Sequence, residues 1–71
     1  MAGLIRSKEE NDYQDACLKR IVPELDVRKV AVYDEGWYFY PLASLTPKER
    51  TAVKAAGYEY YGRQWSLRRL G

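Results

Sequence analysis

The chain has 71 residues, with no histidine, one cysteine and one methionine. That length supports one small domain and no large catalytic cleft, and the composition removes disulfide frameworks, zinc-finger spacings and every histidine-based triad. The charge is mild, 12 Lys+Arg against 10 Asp+Glu, but residues 46–71 carry six basic and two acidic side chains, which points to a basic face toward the C-terminus.

Ser7-Lys8-Glu9-Glu10 has the form of a helix-opening capping box, in which the Ser7 hydroxyl accepts from the Glu10 N–H and the Glu10 carboxylate reaches back. Tyr13, Cys17 and Ile21 recur at intervals of four, with Ala16 and Arg20 beside them, and mark the expected inward face. Glu9, Glu10 and Asp12 at the start and Lys19 and Arg20 at the end both suit the helix dipole. Pro23 disfavours helical geometry at Val22, so the spacing predicts a helix over Lys8 to Ile21.

Val27 to Tyr33 is rich in β-branched residues and Trp37 to Tyr40 is wholly aromatic, which predicts two strands. Between them Asp34-Glu35-Gly36 supplies a tight turn, with Gly36 free to adopt positive φ. Pro41 cannot donate to a ladder and should end the second strand. Two registers are open. A three-residue loop pairs Tyr33 with Trp37 and places Val30, Val32, Tyr38 and Tyr40 on one face. A two-residue loop pairs Asp34 with Trp37 and groups Val30, Val32, Trp37 and Phe39 instead. Turn chemistry favours the first and apolar segregation the second.

Thr46-Pro47-Lys48-Glu49 combines a Thr N-cap, a proline at the first helical position and a capping-box glutamate. Four small residues, Ala52, Val53, Ala55 and Ala56, follow, and Gly57 suits a left-handed C-cap, so a second helix is predicted over Pro47 to Ala56. Tyr58 to Tyr61 and Gln64 to Arg68 then form a second hairpin around Gly62-Arg63, which fits a type II′ turn. That register puts Tyr58, Tyr60, Trp65 and Leu67 on the core face, with Glu59, Tyr61, Gln64, Ser66 and Arg68 opposite. The fold expected is α+β, in the order α-β-β-α-β-β: an antiparallel sheet of two hairpins with two helices on one face.

Little here suggests chemistry. Cys17 reads as a small buried hydrophobe, Ser7, Ser44 and Ser66 have no base to activate them, and the five glycines are isolated rather than gathered in a phosphate loop. An enzyme is not expected, nor is any metal or cofactor. The excess is aromatic: seven Tyr, two Trp and one Phe, more than a core of this size absorbs. Tyr33, Tyr38, Tyr40 and Tyr61, with Arg63, Arg68 and Arg69 nearby, form the candidate binding set. Tyr with Arg is the composition of protein-interface hot spots. The same pair suits single-stranded nucleic acid, where rings stack on bases and guanidinium groups meet phosphates. An unpaired aromatic edge on the first hairpin would also suit a homodimer. No apolar run reaches the length of a membrane span, and Met1 to Arg6 is too short for a secretory signal, so a cytoplasmic protein that avoids membranes is expected.

The stretch Thr46 to Leu67, with Ala55-Ala56-Gly57-Tyr58, Tyr60 and Trp65, resembles a small module of phage and plasmid proteins. In that module a short helix ends in Ala-x-Gly, followed by an aromatic strand, a tight turn and a closing Trp. In style the chain is also similar to phage-encoded inhibitors of host machinery, including anti-CRISPR proteins. The module implies a fold element and a mobile-element origin, and the likeness to inhibitors implies a factor directed at host machinery. With the aromatic excess and the mild net charge, the expected function is a non-enzymatic protein that occludes a host protein or protein complex; the basic C-terminal stretch makes nucleic-acid binding the alternative.

Overall fold

The computed structural model describes residues 7–68, so residues 1–6 and 69–71, and with them Arg69 of the candidate set, lie outside the described residues. Helix α1 spans Lys8–Ile21, opened by the Ser7 hydroxyl, which accepts from the Glu10 N–H at 3.1 Å. The Glu10 carboxylate, expected to reach back to Ser7, instead accepts from the Gln14 amide at 2.6 Å. Val22 leaves helical geometry ahead of Pro23 (φ −128, ψ 82), and its N–H still donates to the Leu18 carbonyl.

The inward face of α1 is not the one expected. Gln14, Leu18 and Val22 are buried, whereas Tyr13 is 50% exposed, Ile21 lies at the surface and Cys17 is only half-buried. The true stripe lies one residue further on, a rotation of about 100°. Leu18 and Val22 meet the sheet, and the polar member of the stripe is fully engaged. Gln14 donates to Glu10, and its carbonyl oxygen accepts from the Glu35 N–H at 2.6 Å. A buried amide satisfied at both ends removes the objection to burying it.

Val27–Lys29, expected as strand, is a 3₁₀ turn, because the Asp26 carboxylate caps it by accepting from the Arg28 N–H at 3.1 Å. Strand β1 (Val30–Tyr33) follows, then strand β2 (Tyr38–Pro41). Their ladder pairs Tyr33 with Tyr38, Val32 with Phe39, Ala31 with Tyr40 and Val30 with Pro41. Apolar segregation therefore decides the register: Val30, Val32 and Phe39 share the core face, while Tyr33, Tyr38 and Tyr40 share the other. The alternative that put Tyr38 and Tyr40 beside Val30 and Val32 is overturned. Trp37 precedes β2 and has no partner in the β1–β2 ladder, although its carbonyl accepts from the Leu67 N–H at 2.7 Å. It sits in right-handed helical geometry (φ −66, ψ −28), with its N–H donating to the Asp34 carbonyl at 3.0 Å.

The loop between β1 and β2 holds three consecutive residues at positive φ: Asp34 (+54), Glu35 (+56) and Gly36 (+92). Two non-glycine residues in this region carry local strain, and contacts with α1 hold them there. The Tyr13 hydroxyl donates to Glu35 at 2.8 Å, and that carboxylate, with the Cys17 thiol beside it, pushes the phenol up to about 12.

Helix α2 runs over Pro47–Ala55, with the expected capping box formed in both directions between Thr46 and Glu49. Ala56 ends it, and Gly57 (φ +105) turns the chain into strand β3 (Tyr58–Tyr61). Gly62 (φ +65) makes the turn to strand β4 (Gln64–Leu67), with Tyr58 opposite Leu67, Glu59 opposite Ser66, Tyr60 opposite Trp65 and Tyr61 opposite Gln64. The protein is thus α+β, two helices on a four-stranded antiparallel sheet ordered β1-β2-β4-β3, and it departs from the expected α-β-β-α-β-β by its two 3₁₀ turns.

Antiparallel pairing of β2 with β4, Phe39 opposite Trp65 and Tyr38 opposite Ser66, joins the hairpins into one sheet. One cluster of buried residues draws Leu18 from the first helix and Val22 from its C-terminal cap, Val53 from the second helix, and Val32, Phe39, Tyr58 and Trp65 from the strands. Phe39 is its centre, edge-on to Tyr58 at 5.3 Å and stacked on Trp65 at 6.5 Å. Burial pushes the Tyr58 phenol up to about 12, and the hydroxyl, kept protonated, donates to the Gly36 carbonyl. Both helices therefore lie against the face bearing Val32, Phe39 and Trp65. The opposite face is left without a helix among the described residues.

Candidate binding surface

Strand alternation delivers the uncovered face. Across the four strands, about 4.8 Å apart, it presents Ala31 and Tyr33, then Tyr38 and Tyr40, then Gln64 and Ser66, then Glu59 and Tyr61. Tyr33 and Tyr38, directly opposite on neighbouring strands, stack at 5.4 Å with 14° between planes. Tyr40 stands edge-on to both, at 5.6 and 6.0 Å. Three rings thus form one platform over β1 and β2, held by cross-strand pairing rather than by burial. Beyond it the Gln64 amide donates to the Ser66 hydroxyl at 2.7 Å, giving a polar centre. Tyr61, 81% exposed, stands on the far side of that centre.

The candidate residues therefore divide. Tyr33, Tyr38 and Tyr40 are brought together, Tyr61 shares their face but not their cluster, and Arg63 lies exposed in the β3–β4 turn. Arg68, just past β4, approaches the Glu59 carboxylate at 3.5 Å. Charge on the face is thereby balanced. The basic excess read from the sequence does not gather there: Arg50 and Lys54 lie on α2, on the other side of the sheet.

Tyr60 corrects a further expectation. It shares the core face with Trp65 and packs on it at 5.0 Å, yet it is 56% exposed. β3 is an edge strand, and the buried cluster reaches it at Tyr58 but not two residues further on. The uncovered stretch becomes one side of a cleft of about 320 Å³, floored by Tyr60 and Trp65, walled by Pro41 and Leu45 and rimmed by Arg50 and Lys54. This cleft was missed from the sequence because part of its wall comes from residues 43–45, which lie in a stretch without a periodic pattern. The one available signal was the spacing of Arg50 and Lys54, which puts two cations on one helical face.

No group of three or more His, Cys, Asp or Glu among the described residues is placed to hold a metal ion, and no helix among them is long and apolar enough to cross a membrane. The most enclosed carboxylate, Glu49, is committed to structure. It accepts from the Thr46 and Asp26 N–H groups and from the Lys29 ammonium. No family model, curated protein or solved structure matches the chain.

Proposed function

We propose that this chain is a small non-enzymatic binding protein that acts by occlusion, its uncovered sheet face covering the working surface of a partner protein. The observation that carries this reading is the Tyr33–Tyr38–Tyr40 platform on a face to which no helix is assigned among the described residues. Tyrosine offers a large apolar ring with a hydrogen-bonding tip and few rotors to immobilise, which is why it recurs at interface hot spots. Tyr61 would extend the contact across the polar centre, and Arg63, at the turn, would add a directed cation. The further reading, a phage-encoded modulator of a host complex, rests on the resemblance of residues 46–67 to the phage and plasmid module and on the likeness in style to phage-encoded inhibitors.

Single-stranded nucleic acid is the competing ligand, because stacked rings also receive bases. A phosphate backbone needs unneutralised cations beside the rings. Here Glu59 lies against Arg68, and Asp34 and Glu35 follow directly after Tyr33. The balance of charge favours a protein.

The test is capture of a defined partner from host lysate, with and without nuclease, by the wild-type chain and by Tyr40→Ala and Tyr61→Ala. Tyr61 is the more exposed ring, so Tyr61→Ala should keep the wild-type thermal midpoint; Tyr40→Ala, which loses two edge-on ring contacts, should lower the midpoint by several degrees and leave the chain folded. Each should weaken binding about tenfold or more, the size of a hot-spot truncation. Capture that vanishes with nuclease and falls steeply with salt would instead identify nucleic acid as the ligand.

A further inference from the structure

The cleft beside α2 lies on the opposite side of the sheet from the tyrosine platform, so what it binds is independent of the reading above. Its floor joins two aromatic rings, Tyr60 and Trp65, in tilted contact at 5.0 Å. Its rim carries Arg50 and Lys54, and neither forms an ion pair among the described residues. Arg50 donates one guanidinium N–H to the Leu45 carbonyl at 2.6 Å, which holds the head group at the cleft. The nearby acid of the same helix, Glu49, is spent on Lys29 and two backbone N–H groups, and no carboxylate lines the cleft. An apolar hollow with an unneutralised basic rim calls for an occupant that is apolar in part and acidic in part.

The backbone narrows the choice. Gly57 and Arg68 form a hydrogen-bonded pair, the Arg68 N–H donating to the Gly57 carbonyl at 3.0 Å. Antiparallel pairs alternate, so the N–H and C=O of Tyr60 point away from β4. Since β3 is the edge of the sheet, these groups face outward at the residue that also floors the cleft. Tyr58–Tyr61 contains no proline, and its single charge, Glu59, lies on the other face. An edge of this kind is a template for strand addition.

We propose that an extended segment of another protein adds to β3 as a further strand, placing an apolar side chain in the cleft over Tyr60 and Trp65 and an acidic one, two positions away, against Lys54 and Arg50. Residues two apart on a strand share a face, so the recognised pattern is apolar-x-acidic.

The probe is a blocked heptapeptide, Thr-Leu-Thr-Glu-Thr-Leu-Thr, compared with its Lys-for-Glu counterpart by two-dimensional amide NMR titration of the full chain. The Glu peptide should shift the Tyr60 amide, the Trp65 indole and the Arg50 to Lys54 amides and slow exchange of the Tyr60 amide. It should bind about fivefold tighter than the Lys peptide, the size of one exposed charge pair. Lys54→Glu, which reverses an exposed charge in the last turn of α2, should lower the thermal midpoint by a few degrees, leave the chain folded, and abolish or invert that preference. Equal affinity for the two peptides, unchanged Tyr60 exchange, shifts confined to Tyr38 and Tyr40, or no binding would each overturn the proposal. So would tighter binding of adenosine monophosphate, added as a third probe, which would make the cleft a nucleotide site.

Discussion

Glu49 shows how one side chain joins distant parts of the chain. From the N-terminus of α2 its carboxylate accepts from the Thr46 N–H at 2.9 Å, the Lys29 ammonium at 3.0 Å and the Asp26 N–H at 3.1 Å. The Thr46 bond first and the Lys29 bond next hold its carboxyl down at about 2, below the usual 4.5. The unfolded chain therefore takes up this proton first as pH falls. The stabilisation is complete above 4.5 and is lost as pH falls toward about 2. Glu49→Gln should cost about 1–3 kcal/mol at neutral pH, and a series of urea midpoints against pH should show a flatter acid limb in the variant. Gly36 is a second residue whose identity is forced. At φ +92, an added Cβ would lie 3.1 Å from Ile21 Cδ1 and 3.5 Å from the Leu18 backbone. Gly36→Ala should therefore cost about 1–3 kcal/mol by urea denaturation. Its left-handed geometry was legible in the sequence, because a short loop ending in glycine demands it. The positive φ of Asp34 and Glu35 was not, since it depends on Tyr13 and Gln14 of a helix some twenty residues earlier.

At the scale of elements, ends were legible and faces were not. The ends of α1 follow from Ser7 and Pro23, and those of α2 from Thr46, Pro47 and Gly57, groups that act on backbone atoms a few residues away. The inward stripe of α1 depends on what the sheet and the Asp34–Gly36 loop present to it. Tyr13, Cys17 and Ile21 have the right period but lost to Gln14, Leu18 and Val22, because Glu10 and the Glu35 N–H satisfy Gln14. Leu18→Ala should accordingly cost about 2–5 kcal/mol, whereas Tyr13→Phe, which loses one exposed hydrogen bond, should change the midpoint far less. Thermal midpoints of the two variants check the assignment. The register of the second hairpin was legible because Gly62 pins its turn and apolar and polar residues separate cleanly, but the exposure of Tyr60 was not. The register of the first was not, since both its faces are aromatic and either register buries rings.

Across the whole molecule, Phe39 ties the two hairpins, opposite Val32 on one side and Trp65 on the other and packed against Tyr58. A chain of 71 residues has little stability in reserve. Phe39→Ala, expected to remove about 3–5 kcal/mol, should leave the chain largely unfolded at 37 °C by far-UV circular dichroism, whereas truncating the exposed Tyr40 should not. The tyrosine platform and the cleft are both products of this assembly. One arises because the two helices pack on the same face of the sheet, the other because the core reaches β3 at Tyr58 and stops short of Tyr60. By itself the sequence determined the α+β class, the helix ends, the Gly62 turn and the excess of tyrosine over what a small core can hold. Those are matters of local backbone chemistry and composition. Only the tertiary structure decided which face of α1 turns inward, which tyrosines stand together and where Tyr60 opens a cleft. Each of these depends on groups brought together from distant parts of the chain, where packing rather than local preference sets the energy.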